Sequence, residues 1–269
     1  TTATKTITVS DITPVDDTTE SETVTITAKG VGKVVADVDT NFGTQSSSNA
    51  DTVEVDASEN SGGTTIDFTG HTNAPRYQTF TGGSGNDNAI VTKGGLDQYD
   101  TFALGAGTED VITTTAVLTG AVSSIFYSDT ALSTAKPTIS GVEIAAINLN
   151  SANGNRTVSV GSAEFASTIC LLDDINTRLT TIDEIKVGTT IKLGKTLDLT
   201  DSSSALILTQ ASATSTAPSD SLTITSDLME TSTNDLATID DLRVDTTKAV
   251  NLTLASSDTD VLKVVVNDL

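Results

Sequence analysis

The segment Gly-Gly-Ser-Gly-Asn-Asp-Asn-Ala at residues 82–89 is the part of the sequence that most directly predicts the fold. Its residue order matches the nonapeptide GGxGxDxUx, which recurs along parallel β-helices. Glycine permits backbone conformations with positive φ, which can turn carbonyl oxygens inward. The aspartate at position 87 adds an anionic oxygen beside them, and such oxygens are ligands that calcium prefers. The segment therefore predicts a tight turn with calcium ligands inside a parallel β-helix.

The two glycine turns that follow are imperfect copies of this pattern. Residues 94–100 place Asp97 where the third glycine belongs, and Asp100 follows one position late. Residues 104–111 keep two glycines and place Glu109 at the aspartate position. Calcium takes six to eight oxygens, which is more than one turn supplies, so adjacent turns must share an ion. We expect one or two calcium ions, with ligands drawn from Gly82, Gly83, Gly85, Asp87, Asp97, Asp100, Gly105, Gly107, Glu109 and Asp110. The alternative is that residues 82–87 form only a hairpin turn.

Outside the glycine turns, short runs rich in Thr, Val and Ile alternate with Ser, Asn, Asp and Gly, as at residues 6–9, 23–27 and 157–160. Alternation of this kind is typical of strands with one apolar face and one hydroxyl face. The best helix candidate is Ser162–Leu179, where we nevertheless favour other structure. The sequence thus predicts an all-β protein.

An internal repeat organises the second half of the chain. Residues 179–187 (LTTIDEIKV) are echoed by residues 236–244 (LATIDDLRV), and residues 139–149 form a looser copy. Repeats of this kind bury their apolar faces against their neighbours, as in a solenoid. We therefore divide the chain into an N-terminal β segment at 1–75, which could form a small sandwich, glycine-rich calcium turns at 76–115, and β-solenoid-like repeats at 116–269.

The composition restricts the classes of partner. The chain has 36 acidic and 14 basic residues and a formal net charge of −22, so we expect it to bind neither nucleic acid nor an anionic membrane surface. Bound divalent cations or a salty habitat would each explain the acidity, and the glycine motif favours the cations. No apolar run reaches the roughly 20 residues of a membrane span.

No catalytic or cofactor-binding constellation is evident, and we expect no enzymatic activity. The single histidine, His71, lacks a nucleophile or metal-spaced partner in the sequence and fits a loop. The single cysteine, Cys170, lies in an apolar run and fits a buried, inert thiol.

Several segments together resemble a known family. Residues 80–87 (FTGGSGND), 100–102 (DTF), 105–107 (GAG) and 139–143 (ISGVE) are similar to RTX-type, type I secreted proteins, especially the surface-layer proteins of Gram-negative bacteria. The resemblance covers roughly residues 78–269. It implies export by a type I system, calcium-dependent folding outside the cell and assembly into a lattice. The C-terminal secretion signal of that family is not evident.

We therefore expect an extracellular structural protein of the cell surface, stabilised by calcium. Its main partner would be itself, in a surface layer or a fibre, with cell-surface polysaccharide as a further partner. An adhesin or a virion or tail-fibre binding module with a calcium-stabilised β-helical shaft is the alternative.

Overall fold

A computed structural model describes residues 7–9, 21, 23–38, 51–69, 77–115, 120–122, 125–127, 136–149, 156–172, 179–186, 188–194, 205–210, 220–226, 242–245 and 250–256. These residues form strands and one 3-10 turn, Gly161–Ala163, and contain no α-helix. In this described part, no helix is long and apolar enough to cross a membrane. The strands are β1 (Ile7–Val9), β2 (Thr23–Gly30), β3 (Val34–Asp37), β4 (Thr52–Asn60), β5 (Thr64–Asp67), β6 (Tyr77–Thr81), β7 (Asn88–Val91), β8 (Thr101–Ala103), β9 (Val111–Thr115), β10 (Gly120–Val122), β11 (Thr138–Ser140), β12 (Ile144–Asn148), β13 (Arg156–Ser159), β14 (Thr168–Leu172), β15 (Leu179–Ile185), β16 (Thr190–Leu193), β17 (Ala205–Gln210), β18 (Asp220–Ser226), β19 (Leu242–Asp245) and β20 (Val250–Ser256). The all-β prediction is confirmed.

The chain divides into two compact units, and the first comprises residues 1–113 and 130–144. Its strands alternate between two sheets along the sequence. One sheet has the order β1-β3-β5-β7-β9 and the other has the order β11-β8-β6-β4-β2. The strands pair in parallel, as β2 does with β4, β4 with β6, and β5 with β7. Parallel neighbours need a crossover connection, which the strand of the opposite sheet provides here.

The second unit comprises residues 114–129 and 145–269 and repeats this alternation. Its sheets have the orders β12-β14-β16-β18-β20 and β10-β13-β15-β17-β19. Parallel pairing again joins β14 to β16, β16 to β18 and β18 to β20. Parallel sheets, part of the predicted fold class, are therefore present in both units.

Three sequence-based expectations meet this architecture differently. The turn at residues 82–87 joins β6 in one sheet to β7 in the other, so it is not a hairpin. Within Ser162–Leu179, the described residues give the end of a 3-10 turn and strand β14 instead of a helix. The division of the chain at residues 75 and 115 stays a prediction. Strands β2 and β4, which lie before residue 75, pair in one sheet with β6 and β8 of the glycine-rich segment.

The core follows the alternation of side chains along each strand. In β4, Val53 and Val55 are fully buried, whereas Glu54 between them is exposed. Phe68, Phe80 and Phe102 are buried in the first unit, where the ring of Phe68 packs edge-on against Phe102 at a centroid distance of 5.6 Å. Burying each such ring contributes roughly 1.5–3 kcal/mol. The side chains of this core hold the strands in place. The glycine turns begin directly after the ends of these strands.

Candidate metal centre in the glycine turns

Asp87 lies at the end of the first glycine turn, directly before β7, and is 1% exposed. One carboxylate oxygen accepts the N–H of Gly83 at 2.8 Å, which closes the turn. The other oxygen accepts the N–H of Thr64, the first residue of the neighbouring strand β5. The aspartate therefore stabilises its own turn and also joins it to the preceding parallel strand of the sheet, β5. We call each such move from one strand to its parallel neighbour a step.

The same arrangement recurs at the next two steps. The carboxylate of Asp110, directly before β9, accepts the N–H of Asp87 at 2.7 Å and that of Gly107 at 3.0 Å. Glu143, directly before β12, accepts the N–H of Asp110 at 2.8 Å. We call Asp87, Asp110 and Glu143 the carboxylate ladder. Each member binds the peptide N–H of the residue one step earlier, so the three acids line one edge of the sheet.

The glycines of the predicted site are required by the close approach of successive turns. A Cβ atom on Gly83 would lie 2.0 Å from the carbonyl oxygen of Asn60, and one on Gly85 would lie 2.2 Å from the nitrogen of Gly63. A Cβ on Gly105 would lie 2.1 Å from the carbonyl oxygen of Gly83. Real Cβ atoms do not approach backbone so closely, because the atoms would overlap. Stacking of one turn on the next therefore excludes any side chain at these positions.

This corrects the reason that the sequence suggested for the glycines. Of Gly82, Gly83, Gly85, Gly105 and Gly107, only Gly105 has φ in the left-handed region, at +98°. The other four are needed for space and not for a left-handed backbone. Close backbone approach is the second reason for which proteins use glycine.

At two of these glycines, the atoms nearest to the Cβ position are oxygens of carboxylates and carbonyls. Carboxylate oxygen Oδ2 of Asp87 and the carbonyl oxygen of Leu104 lie 2.5 and 2.2 Å from the point that a Cβ of Gly82 would occupy. At Gly107, the corresponding atoms are Oδ1 of Asp110 at 2.3 Å and the carbonyl oxygen of Gly85 at 2.7 Å. The carboxylates of Asp87 and Asp110 therefore leave no room for a side chain at Gly82 and Gly107. Carboxylate and carbonyl oxygens are the ligands that calcium prefers.

Asp100 belongs to the opposite sheet and is 2% exposed. Directly before β8, it accepts the N–H of Gln78 at 2.9 Å and that of Asp97 at 2.8 Å. Asp97 is exposed, and its carboxylate accepts the N–H of Tyr99 at 2.8 Å. These two residues therefore form a separate turn and do not join the carboxylate ladder.

The motif placed Glu109 at the aspartate position, but in the structure Asp110 takes that position. The side chain of Glu109 is exposed and accepts a long hydrogen bond, 3.4 Å, from the amide of Asn86. Asp110 occupies the position that matches Asp87. Glu143 also belongs to the ladder, although the sequence indicates it only as part of the ISGVE phrase. Its position in the ladder depends on the pairing of strands that are distant in the sequence.

Burial raises the pKa of Asp87, Asp100 and Asp110. Desolvation raises the pKa of Asp100 to about 7 and that of Asp110 to about 6, and for Asp110 the charges of Asp87 and Glu143 add to the effect. The pKa of Asp87 is also raised, mainly by desolvation, although the N–H groups of Gly83 and Thr64 oppose the shift. A cation placed beside these groups would favour their ionised forms.

The carboxylate ladder contributes only some of the ligands that a metal ion needs. In the part of the chain that the structure describes, no group of three or more His, Cys, Asp or Glu side chains is arranged to hold a metal ion. A calcium ion would thus depend on turn carbonyls as well as on the ladder.

Cys170 is buried, as expected, and His71 lies outside the described residues.

Comparison with known proteins adds no relative to this picture. No protein-family model, curated protein or solved structure matches the chain. The likeness to RTX-type surface-layer proteins therefore rests on the motifs in the sequence and stays a prediction.

Proposed function

We propose that this chain is an extracellular structural protein, a calcium-stabilised parallel β-solenoid that assembles with copies of itself into a surface layer or a fibre. The carboxylate ladder is the observation that carries the proposal. Three acids line one edge of a sheet, one for each step, and two of them have a raised pKa. At neutral pH, such buried carboxylates are costly unless a cation neutralises them.

Calcium is the cation that suits this site best. The side-chain groups of the ladder are all carboxylates, and calcium binds oxygen in flexible geometries. Magnesium demands stricter octahedral geometry and keeps several of its waters. Ions bound along the ladder would hold successive turns together.

The net charge supports a second role for the cation. Copies of a chain with a formal net charge of −22 repel one another at low ionic strength. Divalent ions that neutralise or bridge acidic surfaces would lower this repulsion. Assembly should therefore depend on calcium more steeply than folding of the single chain does.

The test is negative-stain microscopy and circular dichroism of the full chain in millimolar calcium, in millimolar magnesium and in excess chelator. We expect sheets or filaments in calcium only, and loss of β signal in chelator. A monomer that folds only in calcium would favour the alternative, an adhesin or a virion or tail-fibre module with a calcium-stabilised shaft. A folded monomer under all three conditions would contradict the proposal, because the glycine turns would then be turns without calcium.

A pair of variants links this outcome to the ladder. Asp87→Asn removes one buried charge, whereas Glu54→Gln removes one exposed charge from β4 and serves as the control. We expect the first variant to lose most of the calcium-dependent rise in Tm and the second to retain it. Equal calcium responses of the two variants would show that the ladder is not the binding site.

A further inference from the structure

A recess of about 270 Å³ lies within the second unit, between two turns. One wall is the turn that follows β13, and the other is the end of β15 with the turn toward β16. Its volume is near the lower limit of ligand pockets and suits a molecule of about the size of an amino acid. Apolar groups come from Val160, Ala163, Ala166 and Ile169, and charges come from Glu164, Glu184 and Lys186.

The backbone at Glu184 is held in an unusual conformation. Glu184 has φ of 62° and is, among the described residues, the one non-glycine residue with positive φ. It lies at a bulge of β15, where the register with β17 shifts between Ile182 and Ile185. Bulges re-aim side chains and are frequent beside binding sites. Left-handed conformations of non-glycine residues persist only where the surroundings hold them.

The surroundings of Glu184 also orient its carboxylate. The hydroxyl of Ser159, at the end of β13, donates a hydrogen bond to Glu184 Oε2. The peptide N–H of Glu184 donates to Asp183 Oδ1 at 2.8 Å, and the N–H of Val160 donates to the carbonyl of Asp183 at 2.9 Å. The backbone of this glutamate is therefore held at one wall of the recess, and its exposed carboxylate accepts a hydrogen bond from the neighbouring strand.

The carboxylate at the opposite wall is oriented as well. The hydroxyl of Tyr127 donates to Glu164 Oε1 at 3.1 Å. The residue after Glu164 in this turn is Phe165. Its ring packs edge-on against the ring of Phe126, at a centroid distance of 5.2 Å. Ser162 Oγ accepts the N–H of Phe126 at 3.1 Å. Two exposed carboxylates, each with one hydrogen bond to a neighbouring side chain, thus lie beside an apolar surface, and groups restrained in this way lower the entropic cost of binding a ligand.

We propose that this recess binds a small zwitterion with an aliphatic body, of the amino-acid class. The ligand's ammonium group lies between Glu164 and Glu184, its carboxylate lies at Lys186, and its methylene groups cover the apolar surface. This assignment uses every charge of the recess. An anionic ligand would face two carboxylates, and a simple ammonium would leave Lys186 beside a like charge. The inference stands apart from the proposed structural function.

The test is a titration of the ¹⁵N-labelled full chain with 4-aminobutanoate, n-butylammonium and butanoate at constant ionic strength, followed by the backbone amide signals. We expect 4-aminobutanoate to shift the signals of Ala166, Glu184 and Thr189 with millimolar affinity, and n-butylammonium to bind several-fold more weakly. Butanoate should produce no shifts there. Equal binding of n-butylammonium, or binding of butanoate, would overturn the zwitterion assignment.

Two variants complete the test. Glu184→Gln keeps the size of the side chain and removes its charge, and it should weaken 4-aminobutanoate about tenfold, whereas the remote Glu54→Gln should not. Ala166→Leu fills the recess while leaving all three charges in place, and it should abolish the shifts even if the bulge does not tolerate glutamine. Parent-like binding by both Glu184→Gln and Ala166→Leu would overturn the proposal.

Discussion

The two units build the same parallel steps with different residues before their strands. In the first unit, the buried acids Asp87 and Asp110 precede β7 and β9. In the second unit, Ser167 precedes β14 and the buried Thr189 precedes β16, and the N–H of Thr190 bonds to the carbonyl of Ser167 at 3.0 Å. Uncharged hydroxyl residues thus suffice at this position. The acids of the first unit are therefore not demanded by parallel pairing, which favours a role for them in binding a cation.

The largest effect should come from breaking the stacked turns of the first unit. In Gly85→Ala, the added Cβ would overlap the nitrogen of Gly63, so the turns must separate. We expect the free energy of unfolding to fall by about 3 kcal/mol or more, measured by urea denaturation.

The matched control is Gly188→Ala in the second unit. Gly188 has φ of +85° and no atom within 4 Å of its Cβ position, so only the backbone conformation is strained. The expected loss is about 1 kcal/mol. If the two variants lost equal stability, close approach would not be the reason for glycine at position 85.

The buried aspartates of the first unit should make the stability of the protein depend on pH. The folded-state pKa of Asp100 is about 7 and that of Asp110 is about 6, above their ordinary value of 3.8. The folded state then binds more protons than the unfolded state between about pH 4 and pH 7, so the free energy of unfolding falls as the pH rises through this window. A pKa difference of one corresponds to about 1.4 kcal/mol, and the total loss should be on the order of a few kcal/mol.

Melting curves in chelator at pH 4.5 and 7.5 measure this loss. About 0.5 M NaCl screens repulsion between surface charges and should leave the buried contribution largely intact. Calcium at pH 7.5 should restore the part of the lost stability that comes from Asp110, and not the part that comes from Asp100, which lies outside the ladder. A Tm that does not change between the two pH values in high salt would show that these aspartates are not desolvated in solution.

The smallest effect concerns a buried hydroxyl. Thr114 in β9 is fully buried, and its Oγ1 has no hydrogen-bond partner in the described structure. Thr114→Val keeps the shape and removes this desolvated group, so we expect stability to be unchanged or higher by up to about 1 kcal/mol. A loss of more than about 1 kcal/mol in thermal or urea unfolding would indicate that the hydroxyl has a partner.

The sequence predicted the class of fold better than the arrangement of the acids in the glycine turns. The alternation of Thr with Val and Ile predicted strands, and the motif at residues 82–89 predicted parallel neighbours, because both signals are local. The exchange of Glu109 for Asp110 could not be predicted, since the register of β9 against β7 decides which acid meets Asp87. The same holds for Glu143, which reaches the ladder from 33 residues away.

The spacing of the ladder bears on how such a chain can change in length during evolution. The hydrogen bonds from Thr64 to Asp87 and from Asp87 to Asp110 each span 23 residues, whereas that from Asp110 to Glu143 spans 33. Tandem duplication of a 23-residue segment would insert one further step and leave every existing register unchanged. The longer step contains three strands, β9, β10 and β11, whereas the step from Asp87 to Asp110 contains two, β7 and β8. Gene variants should therefore differ by whole steps that keep the strands and the acid together.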